Sequence, residues 1–530
     1  MDVRSGPSKH LFLQGTAVLT IAALLIKIMS AAYRVPYQNI VGDIGFYIYQ
    51  QVYPFYGIAI MLATTGFPVI ISKMMIEFVE KGNASSNSKI LRVSFLFLFA
   101  VGLIFYLILY IGSDQLASFM GDPELAPLIR VISFSFLLVP FVSILRGYFQ
   151  GEENMLPTAV SQVAEQGIRV LTILIFSYLL INNGYSLYEA GQGALFGSLT
   201  GGFAAFILLA VFLSKDKRGV SFFGKNDSSI RTSHILSYLV KHSLTISITS
   251  LMIIFIQLID AMQLYSELLK NGFEMSDAKR MKGIYDRGQP LIQLGTVVAT
   301  SFSLSLVPLI AYAKRSGNHA VISERITASL KICTVVGAGA SAGLIMIMEP
   351  LNIMLFKNES GTEVLAVLSL SVIFTSYSLT LAAILQGLNY TVFPAFAVLI
   401  GTAAKLALNE LLVPEFGTAG AAFATVAAYG VIAGLNTGYL KSKGYGLAGR
   451  VNTGKVAAAA LIMMGALFAY SALFSESWMA GNRLAASAGA LCGALFGGTI
   501  YLIAILKLSI FTQKELEAFP GGKKLGAFLK

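Results

Sequence analysis

The chain has 530 residues, of which 56% are hydrophobic and only 12% charged, and its mean hydropathy is +0.73. A soluble globular domain carries about a quarter of its residues as charges, so this composition excludes an ordinary soluble protein and places the chain in lipid. The net charge of +11 would suit nucleic acid in a soluble protein, but here it falls in loops between apolar runs and needs no such partner.

Apolar runs of about 20 residues cross a hydrocarbon core as helices. They occur near 11–33, 46–71, 90–111, 128–150, 158–182 and 191–213, then near 235–259, 289–312, 328–349, 362–388, 391–413 and 419–440. Two more follow near 455–474 and 484–507, with no ionised residue in their interiors, and read as peripheral helices beside the lipid tails. The first run is long, lacks a small-residue cleavage signature and precedes many others, so it is expected to be retained as a span.

The pattern is written twice. Pro68 and Pro308 lie 240 residues apart, each closing a similar apolar run, and Gly147 and Gly387 are separated by the same 240. A third match sets Gly191-Gln192-Gly193-Ala194 against Gly417-Thr418-Ala419-Gly420-Ala421. Repeats of an even number of spans enter the membrane in the same orientation and are related by an axis along the membrane normal. The expected fold is therefore an all-α polytopic membrane protein of about 14 transmembrane helices. Two pseudo-twofold-related six-helix lobes fill residues 1–231, with a cytoplasmic linker, and 232–440, while 441–530 supplies two C-terminal helices and a tail.

An even span count puts both termini on one side. If that side is cytoplasmic, Lys215, Lys217, Arg218, Lys225 and Arg231 face inward after the sixth span, and Lys441, Lys443 and Arg450 after the twelfth. Lys514, Lys523, Lys524 and Lys530 of the tail join them, which satisfies the positive-inside rule. Asp260 to Lys282 is the exception, an outward loop of both charge signs that reads as a solvated helical extension.

Cys333 and Cys492 fall in apolar spans without CxxC spacing, and His10, His234, His242 and His319 are scattered. No disulfide, metal site or cofactor is expected. Ionised residues inside spans carry more information, because each costs about 2.5–3.5 kcal/mol near the bilayer centre unless protein or water faces it. They are Lys27, Glu165, Arg169, Lys405 and Glu410, with Arg34, Arg146, Asp260 and Arg287 near span ends. Glu165 and Arg169 stand i, i+4, the spacing of a helix ion pair. Lys405 lies near the repeat-equivalent of Arg169, so both lobes present a cation, and cations on both sides of a cavity suit an anion. Fixed Arg and Lys groups bind phosphate through charge-assisted hydrogen bonds.

Several stretches carry a resemblance. They are Lys27-Ile28-Met29-Ser30-Ala31-Ala32-Tyr33-Arg34 with Gly42-Asp43, Gly66-Phe67-Pro68-Val69-Ile70-Ile71-Ser72-Lys73, and Phe149-Gln150-Gly151. Further along come Ser161-Gln162-Val163-Ala164-Glu165-Gln166-Gly167-Ile168-Arg169 and Tyr285-Asp286-Arg287-Gly288-Gln289-Pro290. In this order the chain resembles the polysaccharide and lipid-linked-oligosaccharide flippases, in the stage V sporulation protein B branch of the multidrug/oligosaccharidyl-lipid/polysaccharide exporter superfamily, and more distantly the lipid II flippases. The resemblance implies two lobes that open alternately and cavity cations holding the diphosphate of a polyprenyl-linked sugar. Arg34 and Arg287 match two of the family's cavity arginines, and Lys27 occupies the place of a third. Relatives that bind sodium use an acid in the eleventh span; here the matching positions are Lys405 and Asn409, so the lysine stands in for the ion. Asp43, Asn409 and Glu410 are assigned to gating or support.

The function these features imply is that of a transporter in the bacterial plasma membrane, not an enzyme. It would move a polyprenyl-diphosphate-linked glycan, a cell-wall, spore-layer or other envelope precursor, from the inner to the outer leaflet, with Lys27, Arg34 and Arg287 on the diphosphate. Its partners would be that substrate, membrane lipid and envelope-synthesis enzymes. One alternative is a cation-coupled multidrug exporter of the same superfamily, which would want a cavity acid that the first span lacks. A non-transporting scaffold for envelope assembly is another, using the Asp260 to Lys282 loop. A membrane-embedded glycosyltransferase would need a soluble catalytic domain or paired acids, and neither is found.

Overall fold

The structure is a computed structural model that describes residues 8–80, 87–216, 230–297, 306–307, 309–311, 313–314, 319–445, 452–473 and 482–512, and Glu515. Residues 298–305, Pro308 and 312 of the 289–312 span and the cations Lys217, Arg218, Lys225, Arg450, Lys514, Lys523, Lys524 and Lys530 lie outside the described residues. Among the described residues all regular structure is helical, and 11 stretches are long and apolar enough to cross a membrane. The chain divides into two compact units, Met1–Asp286 and Arg287–Lys530.

In the first unit α1 (Ser8–Ala32) leads through Tyr33 into α2 (Arg34–Met61). Two helical stretches of α2 meet at Gly42, whose φ of +69° is a left-handed conformation that a residue with Cβ adopts only under strain. The chain reverses there. Arg34 and Tyr53, which a straight helix would hold about 28 Å apart, come within 4.7 Å from guanidinium carbon to ring centre. A π-helical turn, Leu62–Gly66, then joins α3 (Phe67–Glu80). Pro68 has no N–H to give the carbonyl four residues back, and the hydroxyls of Thr64 and Thr65 bond the Ile60 and Met61 carbonyls at 2.7 and 3.1 Å.

Four further membrane-length segments complete this unit's wall: α4 (Asn87–Ile111), the broken run of α5 (Ser113–Phe119), α6 (Ala126–Ser133) and α7 (Ser135–Gly151), then α8 (Leu156–Asn182) and α9 (Leu187–Lys215). Ser186 and Glu189 form a reciprocal capping box that starts α9. Gly193, Gly197 and Gly201 repeat every fourth residue along it. A Cβ on Gly201 would meet the Glu165 carbonyl at 2.6 Å, and one on Gly197 the Arg169 carbonyl at 2.9 Å. Small residues thus let two backbones close together where lipid offers no hydrophobic drive. The outer faces are apolar and exposed, as at Ile104, Ile108, Leu171, Ile175, Phe203 and Ile207.

The same unit takes in α10 (Thr232–Ser250), α11 (Met252–Lys270) and α12 (Met275–Asp286). Here the solvated-extension expectation needs correction. Glu274 and Asp277 are exposed, but Asp260, Glu267 and Lys282 are buried. Their partners explain this: Tyr285 donates to Asp260 at 2.8 Å, and Lys282 pairs with Asp286 at 2.6 Å. Burial still pushes the Asp286 carboxyl up to about 6 against the pull of Lys282. Buried Asp122, after α5, accepts hydrogen bonds from Tyr47 at 3.0 Å and Tyr188 at 2.6 Å and pairs with Lys279 at 3.2 Å. One carboxylate therefore fastens α2, α9 and α12 together. Gly283 lies so close to the Asp43 carbonyl that a Cβ there would clash with it.

The second unit begins with α13 (Gly288–Gly295) and continues with α14 (His319–Met346), α15 (Met348–Phe356), α16 (Thr362–Ser369) and α17 (Ser371–Gly387). Next is α18 (Val392–Ser442), interrupted at Gly417, whose φ is +56°. The chain again doubles back, and a Cβ on Gly420 would clash with the Leu412 carbonyl. This reversal separates the two spans expected at 391–413 and 419–440. The last helices, α19 (Thr453–Leu473) and α20 (Arg483–Lys507), pack on α14 around Val335, Ala342, Met463, Leu467 and Tyr501. Tyr501 donates to the Val335 carbonyl at 2.7 Å.

The repeat has a physical meaning inside each unit. A Cβ on Gly147 of α7 would meet Ile71 Cβ at 2.7 Å, and one on Gly387 of α17 would meet Ile310 Cβ and the Val307 carbonyl at 3.0 Å. Each glycine seats its helix against the segment that carries the repeated proline. Gly147→Leu and Gly387→Leu should each lower stability by about 1–3 kcal/mol through overpacking, read as a lower melting temperature in detergent or nanodiscs. Asp122→Ala should leave Lys279 unpaired and speed amide hydrogen exchange across residues 275–286 more than across α4.

Candidate functional site

The reversal at Gly42 folds the start of α2 back upon its second half, where Tyr49, Tyr53 and Tyr56 recur at helical spacing on one face. Tyr33 and Tyr49, from the two sides of the turn, hydrogen-bond through their hydroxyls at 2.9 Å. Tyr37 packs on Tyr49 with ring centres 4.9 Å apart. Arg34 is fully buried in this cluster, over the rings of Tyr53 at 4.7 Å and Tyr33 at 5.9 Å. Such contacts are attractive because the ring face is negative, more so when water is absent. Lys27, two helical turns earlier in α1, is half-buried.

Arg169 of α8 enters the same cluster, 1% exposed, with its guanidinium 4.8 Å from the Tyr56 ring and 5.3 Å from that of Tyr33. It does not pair with Glu165, although the i, i+4 spacing allows it. Glu165 is instead bonded to Arg146 of α7 at 2.7 Å. Arg146 also donates to Ser161 at 3.1 Å and to the Ala63 carbonyl at 3.2 Å. The reason is geometric: on α8, Glu165 turns toward α7 and Arg169 toward the tyrosines of α2, so tertiary partners outcompete the local one. Beside Glu165, a small recess of about 20 Å³ is lined by Tyr56, Ser135, Ser198 and Gly202.

In the second unit Arg287 stands at the start of α13, buried, and donates to Asn352 at 3.2 Å and to Asn358 at 2.8 Å. Its guanidinium also lies 5.1 Å from the Phe356 ring. Part of its donor fork thus holds α13 to α15. Lys405 and Asn409 are fully buried on α18, and Lys405 donates to the Ala421 carbonyl at 2.8 Å across the Gly417 reversal. Glu410 is exposed on the opposite side of the helix. Asp43, half-buried beside Gly42, accepts from Gln38 at 2.8 Å.

The expected cations therefore separate into two sets. Lys27, Arg34 and Arg169 belong to the first unit, and Arg287 and Lys405 to the second. The sequence reading missed the tyrosine cluster, although the spacing of Tyr49, Tyr53 and Tyr56 was there to be read. It also missed Arg146 as the partner of Glu165, and Lys331, a buried span residue that pairs with Glu515 at 2.7 Å. Breaking the Arg146–Glu165 pair from one side strands a buried charge. Glu165→Ala should cost about 3–5 kcal/mol of stability, and a double Met substitution at both positions should regain much of it, as measured by thermal unfolding.

Comparison with known proteins fits this architecture. The chain is 48% identical to the membrane protein YabM of Bacillus subtilis (strain 168) over 530 residues, which is 100% of this chain and 99% of that protein. It is 27% identical to the lipid II flippase MurJ of the same organism over 98% of each chain, and 25% identical to stage V sporulation protein B of that organism over 97% of this chain and 98% of that protein. Among solved structures, the lipid II flippase MurJ in an inward closed conformation superposes with a TM-score of 0.68 at 14% identity, covering 93% of this chain and 99% of that one. An inward-facing multidrug resistance MATE family transporter of the MOP superfamily gives 0.67 at 16% identity over 81% and 98%. The model of the polysaccharide biosynthesis protein family matches residues 12–314, and the chain is a multi-span membrane protein belonging to that family.

Proposed function

We propose that this protein is a flippase that carries a polyprenyl-diphosphate-linked glycan from the inner to the outer leaflet. The observation that carries the reading is the interior of the first unit. It buries Arg34 on aromatic faces with its acids committed elsewhere, a setting that favours an anionic headgroup over a cationic drug. The relative MurJ is named as a lipid II flippase, which supports the same class of transport.

In this reading the glycan and diphosphate enter from the inner leaflet while the polyprenyl tail stays in lipid. Lys27, Arg34 and Arg287 are the cations that meet the diphosphate. Residues 1–231 and 232–440 act as two lobes that open alternately, and 441–530 supplies a peripheral pair of helices. The termini are cytoplasmic and the membrane is the bacterial plasma membrane, where envelope-synthesis enzymes would supply and take up the substrate. Lys405 occupies the position of a coupling ion, and Asp43, Asn409 and Glu410 support gating. An inside-negative potential then assists export of a net anion by about 2.3 kcal/mol per charge per 100 mV.

Depletion of the protein in its own cell, followed by mass spectrometry of polyprenyl-diphosphate lipids, tests the reading. One lipid-linked glycan should accumulate, and wild type should clear it where Arg34→Ala does not. An unchanged lipid pool in a strain without other family members would sink the proposal. In vesicles, clamping the potential to zero should slow transfer of that lipid, and an unchanged rate would remove the driving-force argument.

A further inference from the structure

The turns that end α7 in the first unit and α17 in the second are built alike. Each passes through one left-handed residue other than glycine, Glu153 at φ +57° and Asn389 at φ +62°. In each the next N–H reaches back five residues, from Asn154 to the Phe149 carbonyl at 2.9 Å and from Tyr390 to the Leu385 carbonyl at 2.8 Å. Each turn also meets the end of a later helix of its own unit. Tyr148 of α7 donates to Asp216, which ends α9, at 2.8 Å, and Tyr390 packs on Tyr439 in the last turn of α18 with ring centres 5.7 Å apart.

The two corners differ in charge. The first carries Glu152, Glu153 and Asp216 beside Lys215, whereas segments 388–392 and 439–445 of the second hold no acid and supply Lys441 and Lys443. Lys314 and Lys443, both exposed, lie over the Tyr390 ring at 5.1 and 5.4 Å, and Lys443 also stands 5.0 Å from the Tyr439 ring. Lys314 gives one of its three donors to the Leu388 carbonyl at 2.5 Å, which fixes its ammonium at the turn and leaves two N–H groups for another acceptor. Among the described residues no acid pairs with either lysine. Helix C-termini attract cations, but the first corner has the same helix ends and places acids there, so the backbone alone does not explain the second.

Beside the lysines runs an apolar path. Phe393 stacks on Tyr439 with centres 3.9 Å apart and planes 5° from parallel, and Phe396 follows at 6.3 Å. Val392, Phe396 and Leu399 recur at helical spacing on one face of α18 and are 63%, 54% and 48% exposed. Tyrosine rings sit at the headgroup level of a bilayer. A cationic, aromatic end that leads onto an exposed apolar face matches an amphiphile whose anionic head adjoins hydrocarbon chains, and a lysine ammonium binds phosphate as a compact charge.

We infer that Lys314 and Lys443, seated on Tyr390 and Tyr439, form a binding site for the phosphate of an anionic phospholipid, with an acyl chain along Val392, Phe396 and Leu399. The inference goes beyond the transport reading and does not depend on the cargo. On the orientation proposed above, the site meets the inner leaflet, whose anionic lipids give it a negative surface potential; only the choice of leaflet rests on that orientation. A lipid held there stabilises the second unit by mass action, because it binds the folded corner and not the unfolded chain.

The test uses the full chain in detergent, with phosphatidylglycerol as the anionic probe and phosphatidylcholine as the neutral one, and follows bound lipid by native mass spectrometry. Wild type should prefer phosphatidylglycerol by roughly 30-fold, the equivalent of about 1 kcal/mol for each lysine. Lys314→Gln and Lys443→Gln should each cut that preference about 5-fold, while Lys443→Arg should keep most of it. Lys215→Gln removes the same charge at the first corner and should leave the preference unchanged. The Gln variants should melt with wild type in phosphatidylcholine, because both lysines are exposed. If Lys314→Gln unfolds through loss of its bond to Leu388, Lys443→Gln decides alone, since the Lys443 ammonium makes no hydrogen bond among the described residues.

Equal affinity for the two lipids, or equal losses in Lys443→Gln and Lys215→Gln, would overturn the assignment and leave only diffuse attraction to a basic surface. Displacement of phosphatidylglycerol by inorganic phosphate would overturn it as well, by showing that the acyl chains contribute nothing to binding.

Discussion

A buried ion must find its compensation inside the protein, and this constraint orders the first unit. Asp122, Glu165 and Asp286 each have a cation within ion-pairing distance and are buried with it. Each pair also joins elements distant in sequence or turns of one helix, so the electrostatic requirement doubles as a fastening. Arg146 is the fullest case, with a carboxylate, a hydroxyl and a backbone carbonyl for its donors. Arg34 and Arg169 stand apart from this rule: aromatic faces surround them, and among the described residues no acid pairs with them. A site that departs from the compensation rule applied around it is where a ligand's charge is most strongly favoured.

Backbone geometry makes that departure attainable. Gly42 folds Arg34 onto the tyrosines of its own helical run, and the glycines of α9 bring α8 close enough to deliver Arg169 from another part of the chain. The second unit repeats the device at Gly417, where the reversal lets Lys405 reach the Ala421 carbonyl 16 residues along. Each reversal sets two helical stretches back to back, since a single left-handed residue redirects the helix axis at little cost when that residue is glycine.

The family relationship and these interiors agree at a coarse level. The chain is a polysaccharide biosynthesis family protein whose fold superposes on MurJ and MATE structures. In the first unit of this chain the polarity is positive and aromatic. An ammonium or a hydrated metal ion would be repelled by such a chamber, whereas a phosphate ester is attracted by charge and matched by donor geometry. The buried tyrosines also offer flat apolar walls, which hold the guanidiniums in place without neutralising them.

Much was legible in the sequence because it depends on local composition. Span positions follow from runs of apolar residues, the repeat from the 240-residue offset of Gly147 and Gly387, and the embedded charges from their rarity. The class of fold follows from these alone, since only helices satisfy every backbone group within one segment in lipid. Partner choice was not legible. The i, i+4 spacing nominates Arg169 for Glu165, but Arg146, 19 residues before Glu165, wins because the packing of α7 on α8 places its fork at the carboxylate. Likewise the mixed charges of 260–282 look solvated in sequence, and only the proximity of Tyr285, Asp286 and Asp122 shows that several are buried. The sequence determined which ionised residues enter the membrane; tertiary structure alone decided which are neutralised, because an ion pair is set by distances of a few ångströms between elements that the chain order leaves far apart.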